Sequence, residues 1–367
     1  LIPVEFYNGI YYNFMLLMVF ITFAQSGSTP IESPQNLKSK QGFGGFLVFF
    51  ILMFMGTRPV SGYFIDMRRY SVMFEDFENG GQVAEGKDVF FDMFMQFCSQ
   101  IMSMEMFFFV CAALFILPIY FACKRIFSEY WFYAFLITAS SYVFWSSGVN
   151  AIRTGIGLSF CMLGIANHDR KGRMILAFIL AMMGHKSMIL LILAFVICQY
   201  YRNTKMLLYG WFASILLSLA FGGLFENIFL AIGLGGDDRL AVYFSDEVDE
   251  ATVTYVMGFR WDFLLYSAIA VFAGWYFIIK QKFYDEFYNT LFGMFLMANA
   301  FWVLVIRANF SNRFAALSWF FMGLIVVYPM LKKRFFKNQH RIVGLATLLF
   351  FGFTYIMLFI IESGKDQ

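Results

Sequence analysis

The chain is 367 residues long, 60% hydrophobic and 22% aromatic, with only 14% charged residues. Soluble domains carry roughly 25% charged residues, so this composition excludes a soluble globular protein and leaves one that crosses a membrane repeatedly. A net charge of +3 says little by itself, and no nucleic-acid partner is expected.

Apolar runs lie at about 6–24, 43–57, 101–123, 131–149, 151–167, 174–201, 206–225, 260–279, 287–306, 313–331 and 342–361. A helix needs roughly 20 residues to cross the hydrocarbon core, so most of these runs can span and 43–57 is marginal. The first run reads as a span rather than a cleavable signal, since it has neither a basic leader nor a small-residue cleavage site. Cys98, Cys111, Cys123, Cys161 and Cys198 are scattered without Cys-x-x-Cys spacing. They are expected as buried thiols, with no disulfide framework and no metal site.

More than half of the 27 Lys and Arg fall in alternate loops: Lys38 and Lys40; Lys124 and Arg125; Arg170, Lys171 and Arg173; Arg202 and Lys205; Lys280 and Lys282; and Lys332 to Arg341. By the positive-inside rule these loops are cytoplasmic, which puts the N-terminus outside. The run from Met174 to Tyr201 has basic residues at both ends and Gly184-His185-Lys186-Ser187 in its middle. A single crossing there would turn the Lys332 to Arg341 cluster outward. Two short passes preserve the alternation, so a helical hairpin is expected with its Gly-His-Lys-Ser apex sunk below the outer surface. A His-Lys pair at that depth is tolerable only where it faces protein or water, which marks it as a functional candidate.

Two hydrophilic loops stand on the inferred outer side, 58–100 and 226–260, in what is expected to be a single transmembrane domain over 1–367. The first carries Arg58, Asp66, Arg68, Arg69 and Tyr70, and then Phe90-Phe91-Asp92-Met93-Phe94, suited to the membrane interface. Arg58, Arg153, Arg260, Arg307 and Arg313 all fall at the outer ends of apolar runs. The planar guanidinium fork stays charged and matches phosphate oxygens, so the set points to an anionic lipid headgroup.

The residues now carry a resemblance. Gly56-Thr57-Arg58-Pro59 followed by Asp66 and Tyr70, then Lys87-Asp88-Val89-Phe90, resembles the first outer loop of the EpsG family of bacterial polysaccharide-assembly membrane proteins. Asn150, Arg153, Gly155 and Ile156, the basic turn at Arg170 to Arg173, and the Gly-His-Lys-Ser apex are similar to its middle region. Phe259-Arg260-Trp261-Asp262-Phe263 and Asn312-Arg313-Phe314 are similar to its later elements. The likeness covers roughly 45–330, and departs from the family at Asn167-His168-Asp169 and at Thr154, where Gln is commoner.

The family overlaps with Wzy-type polymerases of O-antigen and exopolysaccharide. The resemblance therefore implies an all-α, GT-C-like helical bundle of about twelve crossings in the bacterial inner membrane, with its site facing the periplasm. It implies transfer of a growing glycan from undecaprenyl pyrophosphate to a lipid-linked acceptor repeat unit, without cofactor or metal, beside membrane lipid and a chain-length regulator protein. Arg153 then stabilises charge on the leaving pyrophosphate; Arg58, Tyr70, Lys186, Arg260, Arg307 and Arg313 bind it; and His185 or Asp66 serves as base, with His185 favoured for its unperturbed pKa. Two other classes remain: a flippase or transport component for lipid-linked sugar, which should show repeated halves, and a membrane O-acyltransferase using a buried His. A non-catalytic role in an export complex is a third. The charge alternation predicts that cysteines placed at Gly80 and Ser245 are labelled from outside the cell, while those at Lys171 and Phe335 are not; outside labelling at Phe335 would contradict the two short passes.

Overall fold

The computed structural model describes residues 2–83, 89–231, 258–308 and 311–362. Helix occupies every expected apolar run, and no strand occurs among the described residues. Eight helical stretches there are long and apolar enough to cross a membrane, with shorter apolar helices besides, so the protein is an all-helical, multi-pass membrane protein. The five cysteines are buried free thiols, as their surroundings in sequence implied.

In chain order the helices are α1 (Phe6–Ser26), α2 (Pro34–Gly56), α3 (Ile65–Glu78), α4 (Val89–Ser99), α5 (Met104–Phe127), α6 (Trp131–Ala139), α7 (Phe144–Val149), α8 (Ile152–Ala166), α9 (Lys171–Gly184), α10 (Met188–Tyr200), α11 (Thr204–Ala231), α12 (Trp261–Trp275), α13 (Glu286–Leu304), α14 (Asn312–Lys332) and α15 (Gln339–Ile356). Two differences from the sequence reading have physical causes. The marginal run 43–57 lengthens because α2 starts at Pro34, its first turn capped by the Ser33 side chain and preset by proline. Lys38 and Lys40 are therefore helical rather than in a loop, and Lys40 is 1% exposed, bonded to Gln25 Oε1 at 2.7 Å with its ammonium 5.1 Å from the Phe132 ring. The run 131–149 breaks into α6 and α7 at Ser140 and Ser141. Thr138 and Ser140 donate their hydroxyls back to the carbonyls of Ala134 and Leu136, a habit that loosens a helix end.

The described helices group into two compact units. The first comprises residues 1–188 and 330–355, the second 189–329 and 356–367. In the first unit the loops with basic residues gather at one end. Arg125 at the foot of α5 donates Nε to Ala166 O at 2.8 Å and holds Asp169 with its Nη2 at 2.6 and 2.8 Å. Lys332 donates to the Ile126 carbonyl, Arg334 lies 3.5 Å from Glu32, and His340 Nδ1 reaches Thr29 O at 2.6 Å. Helices α5, α8 and α9 thus each have one end there, and the N-termini of α5 and α8 and the C-terminus of α9 lie at the other. This is the alternation that the charges called for.

Glycines line the contact between α8 and α9. A Cβ on Gly157 would stand 3.1 Å from Ala181 O and 2.8 Å from Met188 Cγ. On Gly164 it would stand 2.5 Å from the Phe178 ring, and on Gly184 3.0 Å from Gly157 N and 3.2 Å from Arg153 O. Small residues let helix backbones meet where lipid gives no hydrophobic force to join them. Gly155 seats α8 on the preceding α7, its missing Cβ facing the Ser147 carbonyl.

In the second unit, α11 packs on α13, and α10 lies on α13 where Gly293 faces Cys198 Sγ. A buried polar hub ties four helices together. Asn299 on α13 accepts from Trp211 Nε1 of α11 at 2.7 Å and donates to Ser267 of α12 and Ser318 of α14, each at 3.0 Å. Trp319 Nε1 closes the set on Ser267 Oγ at 2.8 Å. One end of this unit is basic too, where Arg202 meets Glu286 at 2.9 Å near Lys280 and Lys282.

The glycine contacts give a direct test. Gly155→Ala must push a methyl into backbone, which does not yield as a flexible side chain would, and is expected to destabilise the purified protein by about 1–3 kcal/mol and lower its melting temperature. Gly172→Ala, with nothing within 4 Å of the added methyl, should leave melting unchanged.

Candidate functional site

At the non-basic end of the first unit, the hydrophilic segment expected over 58–100 is largely a pair of helices. α3 and α4 pack on each other, and α4 also rests on α5 and α9. Their inner faces bury Tyr70, Phe74 and Phe77 from α3, with Phe91, Met95 and Cys98 from α4. The opposite face of α4 presents Phe90, Met93 and Phe97, each more than half exposed, the apolar surface expected of an interfacial piece.

Arg153 stands beneath this pair, in the first turn of α8. Its Nε donates to Tyr70 Oη at 2.8 Å, and its Nη1 lies 3.9 Å from Asp92 Oδ1. The guanidinium carbon sits 5.4 Å from the Tyr70 ring centroid and 5.8 Å from that of Phe91, within cation–π range. Tyr70 in turn donates to Asp66 Oδ2 at 3.4 Å, one turn earlier on α3. Burial, reinforced by the Asp66 charge, pushes the Tyr70 phenol well above its ordinary value, so it remains a neutral donor to Asp66 while accepting from Arg153. α8 also begins without a side-chain cap at Ala151, which leaves first-turn backbone N–H groups beside Arg153 in the orientation that favours anions.

His185 follows from the same packing. Gly184 abuts the Arg153 carbonyl, so the next residue emerges from α9 at the level of the α8 N-terminus. The break falls where the sequence placed the apex: α9 ends at Gly184 and α10 begins at Met188, with arms of 14 and 13 residues, each about 20 Å long. His185 is half-buried, Lys186 is exposed, and His185 Nδ1 lies 2.7 Å from Ser187 Oγ.

The structure thus brings Asp66, Tyr70 and Arg153 together and sets His185 and Lys186 at the same end of the unit. Arg58 lies apart from that cluster but near the N-terminus of α5, 3% exposed, with its guanidinium 5.6 and 5.8 Å from the Phe64 and Phe108 rings. Its Nη1 donates to Met55 O, while Nε and Nη2 have no hydrogen-bond partner among the described residues. Burial lowers it to about 10, which leaves it charged at neutral pH.

The other arginines belong to the second unit. Arg260 already grips Asp262 with both arms, at 2.9 and 2.6 Å, and lies 4.0 Å over Phe263. Arg307 is exposed, 5.9 Å from the Phe259 ring and close to Gly222, and Arg313 is exposed in the first turn of α14. The second outer loop, expected over 226–260, lies mostly outside the described residues. The sequence reading missed Asp92 as a site residue. Its signal was a lone carboxylate inside an aromatic helical run, where an unpaired charge has no reason to stand.

The profile of the EpsG family matches residues 43–367. No curated protein and no solved structure gives a match.

Because Tyr70 and Arg153 share one bond across separate helices, their substitutions should be non-additive. Tyr70→Phe and Arg153→Lys are each expected to lower thermal stability, and the double variant to fall short of the sum by about 1–3 kcal/mol, the worth of a charge-assisted bond. Strict additivity in a double-mutant cycle would mean that the contact carries no energy.

Proposed function

Since the chain belongs to the EpsG family, whose general role is polysaccharide polymerisation, we propose that it joins lipid-linked oligosaccharide repeat units into O-antigen or exopolysaccharide at the periplasmic face of the inner membrane. The donor is a glycan on undecaprenyl pyrophosphate and the acceptor a second lipid-linked repeat unit. The observation that carries this reading is Arg153. It is a cation set at the head of a helix, fixed on Nε by Tyr70 and roofed by α3 and α4.

The geometry suits the chemistry. As the anomeric carbon leaves the pyrophosphate oxygen, negative charge grows on that leaving group. A guanidinium held before the reaction begins, together with the backbone donors of the α8 first turn, stabilises this charge without reorganising. Tyr70 acts by positioning: its hydroxyl accepts from Nε and so fixes the plane of the Arg153 guanidinium. Asp92 offsets the cation within its largely apolar surroundings. Lys186 adds an exposed cation at the same end of the first unit, suited to the anionic headgroup of donor or acceptor. The acceptor hydroxyl oxygen forms the new bond to the anomeric carbon, its proton passes to a base, and lipid pyrophosphate departs.

The test is a glycan ladder in a deletion strain. Loss of a polymerase leaves single repeat units on their acceptor, whereas loss of a flippase leaves none. Complementation with Arg153→Lys, at wild-type protein level, is expected to reduce polymer by roughly 10²-fold, because Lys keeps the charge but cannot be gripped by Tyr70 while presenting a fork. Full polymer from that variant would remove Arg153 from the mechanism.

A further inference from the structure

The break between α9 and α10 fixes the state of its histidine. Ser187 N–H donates to His185 Nδ1 at 3.2 Å, and Ser187 Oγ lies 2.7 Å from the same nitrogen. A backbone N–H is only ever a donor. Nδ1 is therefore an acceptor without a proton, and the hydroxyl beside it donates as well. In the neutral ring the proton must then sit on Nε2. The backbone makes this arrangement natural: His185 is extended at φ −155° and ψ 131°, outside either helix, and its ring satisfies an N–H at the uncompleted start of α10. The opposite tautomer would set N–H against N–H.

We propose that His185 works as an Nε2–H hydrogen-bond donor to the departing diphosphate, with Ser187 as the residue that fixes its tautomer, and that it is not the base. Serving as base would need a bare Nε2, which is the tautomer that Ser187 opposes. The proposal rests on the polymerase reading and assigns the steps within it. The acceptor oxygen bonds to the anomeric carbon, and the bond to the diphosphate oxygen breaks with its electron pair going to the diphosphate. The acceptor proton goes to the Asp66 carboxylate, while Nε2–H and Arg153 receive the new charge. Gly184 against the Arg153 carbonyl is what sets the two donors at one level.

Two measurements decide it. The first needs no substrate: the chain has three histidines, His168, His185 and His340, so nitrogen-15 NMR of histidine-labelled full-length protein in lipid resolves each ring, with His185→Gln identifying the signal. A neutral His185 protonated on Nε2, unchanged in Ser187→Ala because the backbone donor remains, is expected; protonation on Nδ1 overturns the proposal.

The second compares variants in membranes from the deletion strain, which carry the cell's own lipid-linked repeat units. Gln places its amide N–H near the position of Nε2–H, whereas Asn places it near Nδ1. His185→Gln should elongate glycan within about tenfold of wild type, and His185→Asn and His185→Ala should fall roughly 10²-fold. The pH profile of His185→Gln should follow that of the wild type, since a donor removes no titrating base. Elongation by His185→Gln as low as by His185→Ala, at equal protein level, overturns the donor role. Should that variant not accumulate, the tautomer of the wild-type ring decides alone. Failure of the wild-type gene to restore the ladder would instead refute the polymerase reading, and would leave the NMR result untouched.

Discussion

The backbone contact between α8 and α9 is the constraint from which the first unit takes its form. Three glycines remove the side chains that would separate the two helices, and their antiparallel course sends one N-terminus and one C-terminus to the same end. Arg153 and His185 are the residues found there. Each is placed by where its helix is allowed to lie. Two helices of 15 and 14 residues are too short to cross the hydrocarbon comfortably. Shortness is what leaves their ends, and the polar groups on them, below the level that a full span would reach.

The loop helices answer a problem created by that depth. A guanidinium away from water must be hydrogen-bonded or paired. Tyr70 and Asp92 supply this from two separate helices, with aromatic faces around them. The same groups that make Arg153 tolerable also aim it. Lys40 shows the same solution at the basic end, with Gln25 and a set of rings in place of a carboxylate. Such an arrangement is specific rather than strongly stabilising, because the desolvation penalty and the contacts that offset it are of similar size.

Much of this was legible in the sequence, for reasons that also mark the limit. Apolar runs and charge alternation report on the bilayer, a solvent with one preferred direction, so the helices and the order of the basic loops within each unit could be read one segment at a time. The break at Gly184 to Ser187 was legible because His and Lys are expensive in an apolar run. The meeting of Tyr70 with Arg153, 83 positions apart, was not. It depends on how α3 and α4 fold over the end of α8, which no periodicity encodes. Lys40 was misread as a loop residue because hydropathy counts its charge and cannot see Gln25 or Phe132. The break at Ser140 escaped notice because serine hydroxyls are cheap in sequence and consequential only where they turn back on the backbone.

The hub around Asn299 bears on how the chain is made. Its members enter the membrane one helix at a time: Trp211 first, then Ser267, then Asn299, and last Ser318 and Trp319. Until α14 arrives, the Asn299 amide lacks its acceptor on Ser318 and the Ser267 hydroxyl lacks its donor on Trp319, while Trp211 already has Asn299. Each early helix therefore inserts with a polar group exposed in hydrocarbon. A chain that stops before residue 318 leaves the Asn299 amide one partner short within hydrocarbon. The hub is whole only once α14 is in place.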